Sequence, residues 1–377
     1  PIRIPDQLPA TEQLESENIF VMTEHRAMHQ DIRPLRVLLL NLMPKKIETE
    51  TQIMRKLSNT PLQIEVELLH TISHESRNVS QEHLKTFYRS FDQVKDNRYD
   101  GMIITGAPVE LHEFEDVDYW DELCNIMKWS TTNVHSTLHI CWGAQAGIFY
   151  HYGIQKHELP EKLSGVFNHD VLSLQPLVRG FDDRFWAPHS RHTTVYAEDI
   201  EADPRLEIVA QSDEAAHIAK STDSRHFFVF GHPEYDADTL MAEYERDIAK
   251  GLDMPLPRHY FPNDDPTQAP RVTWRAHAQL LYTNWLNYYV YQTTPYDLAK
   301  VGTEEDSVHD DSQRKPRYIL RPVVTPVERA ADKSAASKSE ASSDPFLRPA
   351  QEDDDGYDPF SDRPPTPEPT FQEDPWR

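Results

Sequence analysis

Cysteines are scarce in this chain, and it contains no long apolar run. The 377 residues include only Cys124 and Cys141, which excludes a disulfide framework and a cysteine zinc cluster and is typical of a reducing compartment. No run approaches the roughly 18 apolar residues that span a bilayer. The first residues show no basic stretch followed by an apolar core, so no signal peptide is expected. We therefore predict a cytoplasmic protein without a membrane partner.

Basic residues are few relative to acidic ones. The chain has 38 Lys and Arg against 63 Asp and Glu, which gives a net charge of −25. A chain this acidic repels the phosphate backbone of nucleic acids, so we predict no nucleic-acid partner. Hydrophobic residues make up 38% of the chain, below the roughly 45–50% of ordinary globular proteins. This dilution is uneven along the chain.

The last part of the chain has the composition of a disordered segment. It contains acidic clusters, a Ser/Ala/Lys stretch at 333–343 and several prolines at 364–369. Such a segment buries too little apolar surface to offset the entropy lost when a chain is ordered. We predict a folded domain over residues 1–298 and a disordered, acidic, Pro-rich tail over residues 299–377.

Three Asp-Pro-aromatic triplets occur in this tail, at 344–346, 358–360 and 374–376. Because proline limits the entropy lost on binding, such triplets can dock an aromatic ring into a pocket of a partner. A purely solubilising tail has the same acidic and Pro-rich composition. The sequence identifies no partner for the tail.

Apolar runs of strand length alternate with helical patterns throughout residues 1–298. Continuous apolar strands separated by helices indicate a parallel sheet covered on both faces, and therefore an α/β fold. In such sheets the chemistry lies just beyond the carboxyl ends of the strands. The clearest strands are predicted at 36–43, 62–68, 101–106, 136–140 and 227–230, and helices at 47–57, 120–127 and 279–292.

Cys141 directly follows one of these strands and precedes a helical pattern. A nucleophile at such an elbow is held in a strained turn with its side chain exposed to substrate. The helix dipole and the free N–H groups of the first turn favour the thiolate, and the N–H of Trp142 is a candidate oxyanion-hole donor. The alternative is a buried cysteine that packs as a small hydrophobe, which is how we interpret Cys124.

His232 directly follows a second strand, and Glu234 stands two residues further on. If the two strands are neighbours, His232 can act as a general base toward Cys141. Glu234 can then orient the imidazole and stabilise its protonated form. Taken alone, the same residues could form a surface turn, because Gly231 and Pro233 flank the histidine.

These motifs make the family recognisable. A Cys-Trp-Gly-Ala-Gln elbow followed by Gly-His-Pro-Glu resembles the catalytic layout of class I glutamine amidotransferases. The whole of residues 1–298 more specifically resembles the cysteine-dependent homoserine O-acyltransferases of methionine biosynthesis. The segments that carry this resemblance are 41–50, 105–108, 141–142, 161–165, 179–183, 187–191, 231–236 and 283–291.

The resemblance implies a flavodoxin-like, three-layer fold and a catalytic domain over residues 1–298. It implies ping-pong transfer of an acyl group from acyl-CoA to the hydroxyl of L-homoserine. Cys141 would carry the acyl group, His232 would be the base and Glu234 would orient His232. No bound cofactor is implied, and the sequence shows no metal-ligand spacing, so we expect no metal. The resemblance also implies a homodimer.

Substrate contacts are implied by the same matches. Lys162, Ser190 and Arg246 match the homoserine-binding positions of the family, and an arginine can grip a carboxylate through two hydrogen bonds. Glu243 lies three residues before Arg246 on one helix face, where a solvated ion pair is the alternative. Lys46 matches a lysine near the acyl site of the family.

Glu110 bears on the choice of acyl donor. Members of the family that use succinyl-CoA resemble this chain around 106–111 but carry glycine in place of Glu110, whereas members with glutamate use acetyl-CoA. A glutamate occupies the volume that a longer acyl chain needs. Its charge would also oppose the distal carboxylate of a succinyl group by roughly 1 kcal/mol at 4 Å in water. The resemblance therefore implies acetyl-CoA as the donor.

Other functions remain open from the sequence. The first alternative is a homoserine O-succinyltransferase, because Glu110 forms only one wall of the acyl pocket. The second is a glutamine amidotransferase or cysteine hydrolase on the same fold, but an amidotransferase needs a synthase partner that the tail cannot supply. The third is a scaffold without activity, against which the intact Cys141, His232 and Glu234 argue.

Overall fold

The apolar segments of the sequence form strands of one sheet in a computed structural model, which describes residues 2–4, 8–10, 13, 21–23, 33–73 and 80–303. Twelve strands are present in these residues. The strands are β1 (Ile2–Ile4), β2 (Val21–Thr23), β3 (Leu35–Leu40), β4 (Ile64–Leu69), β5 (Tyr88–Arg89), β6 (Tyr99–Ile104), β7 (Val134–Ile140), β8 (His157–Val171), β9 (Arg184–Thr194), β10 (Leu206–Gln211), β11 (Ala216–Ser221) and β12 (His226–Val229).

Helices connect most of the parallel strands. They are α1 (Lys46–Leu57), α2 (Gln81–Phe87), α3 (Phe91–Val94), α4 (Trp120–Asn133), α5 (Trp142–Tyr152), α6 (Ala197–Glu201), α7 (Thr239–Ala249) and α8 (Arg275–Asn284). The last of them continues as a π-helical segment over Trp285–Tyr291. Within the described ranges, no helix combines the length and the apolar character that crossing a membrane requires.

The centre of the sheet runs in the order β4-β3-β6-β7-β12, and all these strands are parallel. This is the doubly wound, flavodoxin-like order, in which the chain first winds to one side of the starting strand and then to the other. The predicted α/β fold with a parallel sheet is therefore confirmed. Strands β7 and β12 are direct neighbours, with Ile140 opposite Val229, so both strands end at the same edge of the sheet.

The residues of β3 explain why helices cover both faces of the sheet. Val37 and Leu39 belong to one apolar cluster, which also includes Ile53 of α1. Leu38 and Leu40 belong to another, with residues of α4 and α5. Because successive side chains of a strand point to opposite faces, a continuous apolar strand needs a cover on each side. These two clusters are the interfaces between the three layers.

Four antiparallel strands extend the parallel sheet, in the order β12-β11-β10-β8-β9. The sequence analysis identified no strands in this region. The hairpin of β8 and β9 pairs Ser164 with Ser190, and β8 carries Lys162. The extension therefore brings Lys162 and Ser190 together.

The predicted disorder of residues 299–377 concerns a segment of which only residues 299–303 are described. Residues 304–377, including the three Asp-Pro-aromatic triplets, lie outside the described residues. The boundary at residue 298 and the disorder of the tail remain predictions.

Candidate active site

Cys141 occupies a strained turn between β7 and α5. Its φ of 50° and ψ of −116° lie outside the regions that residues with a Cβ ordinarily adopt. Its backbone N–H donates to the carbonyl of Val229, at 2.7 Å, which ties the turn to β12. The side chain is only 3% exposed. This is the geometry of a nucleophile elbow, in which the fold directs one side chain to the edge of the sheet.

His232 and Glu234 face this cysteine from the end of the neighbouring strand. Nδ1 of His232 lies 2.7 Å from Oε1 of Glu234, and the His232 ring hydrogen-bonds with Cys141. Burial lowers the pKa of His232, but the negative charges of Cys141 and Glu234 outweigh burial and raise that pKa well above its usual value. The arrangement can therefore hold a protonated His232 beside the sulfur of Cys141, and it can move a proton between that sulfur and a reacting group.

The loop after β6 closes over the cysteine at Gly106. A Cβ at this position would lie 3.2 Å from Cβ of Cys141 and 3.6 Å from Cε1 of His232. The first contact is tighter than ordinary van der Waals packing, so a side chain at position 106 would press on Cys141. The glycine lets the backbone approach Cys141 and His232 closely.

The backbone N–H of Trp142 lies at the start of α5, directly after Cys141. Trp142 is the first residue of α5, and the first N–H groups of a helix have no acceptor within that helix. The start of α5 also packs tightly against the end of β6, because a Cβ at Gly143 would lie 2.6 Å from the carbonyl oxygen of Thr105. Trp142 thus presents its N–H beside Cys141 from a well-fixed helix end.

One carboxylate joins two of the predicted homoserine-binding residues. Asp247 accepts from Nζ of Lys162 at 3.2 Å and from Nε of Arg246 at 2.8 Å. The side chain of Lys162 is 8% exposed, whereas that of Arg246 is 48% exposed. Because Arg246 uses Nε toward Asp247, the two terminal nitrogens of its guanidinium form a fork that can take a carboxylate.

A second carboxylate, that of Glu243, connects the third predicted residue to His232 through Tyr235. Glu243 accepts from Oγ of Ser190 at 2.6 Å and from the hydroxyl of Tyr235 at 2.7 Å. The ring of Tyr235 stacks on that of His232, with centroids 4.1 Å apart. The predicted residues Lys162, Ser190, Glu243 and Arg246 thus line one region beside the cysteine and histidine.

Glu110 bridges the loop after β6 to strand β9. Its Oε2 accepts from the backbone N–H of His192 at 2.5 Å and from that of Thr193 at 3.3 Å. Burial raises the pKa of Glu110, while these amides and the charge of His232 oppose the rise. The carboxylate of Glu110 is therefore held in place close to His232 and is not a mobile surface group.

Lys46 lies at the start of α1, 5% exposed. Its Nζ donates to the carbonyl of Asn41 at 2.6 Å, at the end of β3, and burial lowers its pKa to about 8. These contacts tie the first turn of α1 to the end of β3. They connect Lys46 to the backbone and not to Cys141 or His232.

Three residues of the site were not identified by sequence reasoning: Tyr235, Asp247 and Arg191. Arg191 is fully buried, and its guanidinium donates to the carbonyl of Phe230 at 2.6 Å. Burial lowers its pKa to about 10, and the negative charges of Cys141 and Glu110 oppose the decrease. Arg191 thus places a buried positive charge close to Cys141. Arg191 could have been noticed in the sequence, because it directly follows Ser190 in the segment 187–191 that carries the family resemblance.

Comparisons with known proteins show the family to which the chain belongs. A family model described as homoserine O-succinyltransferase matches residues 1–296. A homoserine O-acetyltransferase from Acetivibrio thermocellus is 60% identical over 303 residues, which are 80% of this chain and 99% of that protein. A homoserine O-acetyltransferase from Brevibacillus brevis is 60% identical over 300 residues, 79% of this chain and 98% of that protein.

Among solved structures, a glutamine amidotransferase from Thermotoga maritima aligns with a TM-score of 0.44 and 14% identity, over 68% of this chain and 98% of that one. A likeness of this size carries no argument about function. The family match covers most of the chain, and both relatives named above are 60% identical to it. On that evidence, the protein belongs to the homoserine O-succinyltransferase family.

Proposed function

We propose that the protein is a homoserine O-acetyltransferase, which transfers an acetyl group from acetyl-CoA to the hydroxyl of L-homoserine. The observation that carries the proposal is the strained Cys141 beside the His232–Glu234 pair, in a chain 60% identical to proteins of that name. The products would be O-acetyl-L-homoserine and CoA. The reaction serves methionine biosynthesis, and it needs no group beyond the two substrates and the side chains of the site.

The first half-reaction would place the acetyl group on the enzyme. The Cys141 thiolate attacks the thioester carbonyl, and the N–H of Trp142 stabilises the oxyanion that forms. The bond to the CoA sulfur breaks, and the leaving thiolate takes the proton that His232 holds. A thioester on Cys141 and free CoA result.

The second half-reaction would transfer the acetyl group to homoserine. His232, now neutral, takes the proton of the homoserine hydroxyl as the oxygen attacks the acyl-cysteine. The ester bond forms, the bond to sulfur breaks, and Cys141 returns as a thiolate beside the imidazolium. Glu234 keeps Nδ1 of His232 protonated throughout, so that Nε2 faces the reacting atoms.

Homoserine would be held by the region of Lys162, Ser190 and Arg246. The guanidinium fork of Arg246 suits the substrate carboxylate. Glu243, held by Ser190 and Tyr235, offers a negative charge for the substrate ammonium. This acceptor site distinguishes the proposal from an amidotransferase, which would release ammonia from glutamine instead.

Replacing Glu110 by glycine is expected to weaken the preference for acetyl-CoA. The unchanged protein should release CoA faster from acetyl-CoA than from succinyl-CoA by about tenfold or more, since a charge repulsion of a few kcal/mol is realistic near a protein surface. Glu110→Gly opens volume and removes the charge, so its kcat/KM for succinyl-CoA should rise. The measurement is CoA release with L-homoserine and each donor in turn.

Glu110→Gln is the matched control, because it keeps the volume and removes only the charge. If only Glu110→Gly uses succinyl-CoA better, the volume of the Glu110 side chain selects the donor. If both variants use succinyl-CoA better, the charge of Glu110 selects it. Equal use of both donors by the unchanged protein would contradict the choice of acetyl-CoA. Turnover with neither donor would contradict the acyltransferase proposal, and a glutaminase assay would then test the amidotransferase alternative.

Arg246→Ala is expected to raise the KM for L-homoserine by about 10- to 100-fold, which corresponds to the loss of hydrogen bonds between charged groups. The burst of CoA released from acetyl-CoA without homoserine should persist, because the arginine acts only on the acceptor. Arg205→Ala is the matched control, since Arg205 also pairs with an aspartate, Asp203, but lies away from the site. A lost burst in Arg246→Ala would contradict the acceptor-binding role.

A further inference from the structure

Three histidines outside the active site meet behind the nucleophile elbow. His139 belongs to β7, His226 begins β12 and His151 lies in the last turn of α5. One ring nitrogen of each lies within 4.8 Å of those of the other two. The first two are buried and His151 is half-buried. His151 is therefore the member of the cluster that lies nearest to solvent.

Two ring nitrogens of the cluster form a long hydrogen bond at a separation that also suits two ligands of one metal ion. Nε2 of His139 lies 3.4 Å from Nδ1 of His226, whereas N–H donors ordinarily approach their acceptors to about 2.7–3.2 Å. Two nitrogens bound at roughly 2.0–2.1 Å to one tetrahedral Zn²⁺ are about 3.3 Å apart. A ring nitrogen of His151 lies within 4.8 Å of those of His139 and His226. Rotation of the His151 side chain at the end of the helix can shorten these two distances.

Nδ1 of His139 is buried and has no hydrogen-bond partner within the described ranges. This atom faces α5, because a Cβ at Gly147 would lie 2.6 Å from it. A buried polar atom without a partner calls for an explanation, and a bound ion is one such explanation. Among the described residues, Nε2 of His151 is buried and has no hydrogen-bond partner.

A second histidine cluster, formed by His169, His189 and His217, provides a contrast. All three residues are fully buried, so this cluster has no open side. The guanidinium of Arg191 lies 2.9 Å from Nδ1 of His189, which would place a cation next to a bound metal. His169 and His189 approach to 2.9 Å, a hydrogen-bond distance. A cation bound there would lie directly beside the fixed positive charge of Arg191, which disfavours it.

We propose that His139, His151 and His226 bind one Zn²⁺, with water at the remaining position. The ion would tie the end of α5 to β7 and β12. Cys141 follows β7 and precedes α5, and His232 follows β12, so the site would brace the elements that carry the catalytic pair. The ion lies at the far end of α5 from Cys141 and takes no part in acyl transfer.

The test is a titration of the full chain, stripped with a chelator, with Zn²⁺ against a chromogenic competitor and separately with Co²⁺. We expect one Zn²⁺ per chain and the visible absorption of tetrahedral Co²⁺. His151→Gln should weaken Zn²⁺ binding by about a hundredfold or more, because even a lost outer partner costs roughly 10- to 100-fold. Zn²⁺ at a hundredfold excess over Kd should raise the Tm of the unchanged chain by about 5 °C.

His112→Gln is the matched control, because His112 is an exposed histidine outside the cluster. It should bind Zn²⁺ as the unchanged chain does. Failure of the unchanged chain to bind one Zn²⁺, or binding that His151→Gln leaves unaltered, would overturn the proposal. His151 lies at a half-exposed helix end, so this variant should fold, which the burst of CoA from acetyl-CoA would verify independently of the metal.

Discussion

Cys141→Ala is expected to reduce CoA release from acetyl-CoA to the uncatalysed rate, with or without homoserine. Cys141 provides the only sulfur in the elbow, and without it no acyl-enzyme can form. Mass spectrometry of the unchanged protein after exposure to acetyl-CoA should show one added acetyl group, on the peptide that contains Cys141. The variant should show none.

Cys124→Ala is the matched control for this experiment. Cys124 lies half-buried in α4, and burial raises the pKa of its thiol to about 11, so it carries little thiolate at neutral pH. The control should retain normal turnover and the same acetylated peptide. Turnover by Cys141→Ala at a substantial fraction of the normal rate would rule out the acyl-cysteine route, and direct attack of homoserine on the thioester would then replace it.

His232→Asn is expected to lower kcat/KM by about 10²- to 10⁴-fold, the range in which a positioned general base contributes. Glu234→Gln should cause a smaller loss, because the imidazole remains but loses its orienting charge. Glu234 is also one of the charges that raise the pKa of His232. Its neutral replacement should let His232 lose its proton at lower pH, so the alkaline limb of the kcat/KM profile should move to lower pH.

Asp236→Asn is the control for Glu234→Gln, since Asp236 is a nearby carboxylate that pairs with Arg55 at 2.7 Å and not with His232. It should leave the alkaline limb where it is. If the limb moved equally in both variants, a general change in local charge would explain the shift. If it moved in neither, the raised pKa of His232 would not control the alkaline limb.

Much of the parallel sheet could be predicted from local pattern. The run at 36–43 predicted a buried strand, and β3 spans Leu35–Leu40. The helical spacing after Ile47 predicted α1, which spans Lys46–Leu57. Such patterns work because a strand covered on both faces must be apolar along its length, whereas a helix on one face needs apolar residues every three or four positions.

The antiparallel extension could not be predicted in the same way. Strand β8 alternates exposed and buried positions only in part, and it contains charged residues such as Lys162. Those residues are accommodated because Asp247, on a helix 85 positions later, pairs with the lysine at 3.2 Å. A polar residue that is buried beside a distant partner leaves no local pattern for sequence reasoning to detect.

The sequence by itself determined the nucleophile elbow at Cys141, the His232–Glu234 pair and the family. Strand, turn and helix propensities are local, so a few neighbouring residues suffice to specify each of these motifs. Tertiary structure alone decided that β7 and β12 are adjacent, which brings Cys141 to His232. It also brought Glu243 to Ser190, Arg191 to the cysteine and three scattered histidines into one cluster. These contacts depend on how the layers pack against each other. Burial and charge act between residues that are close in space, whatever their separation along the chain.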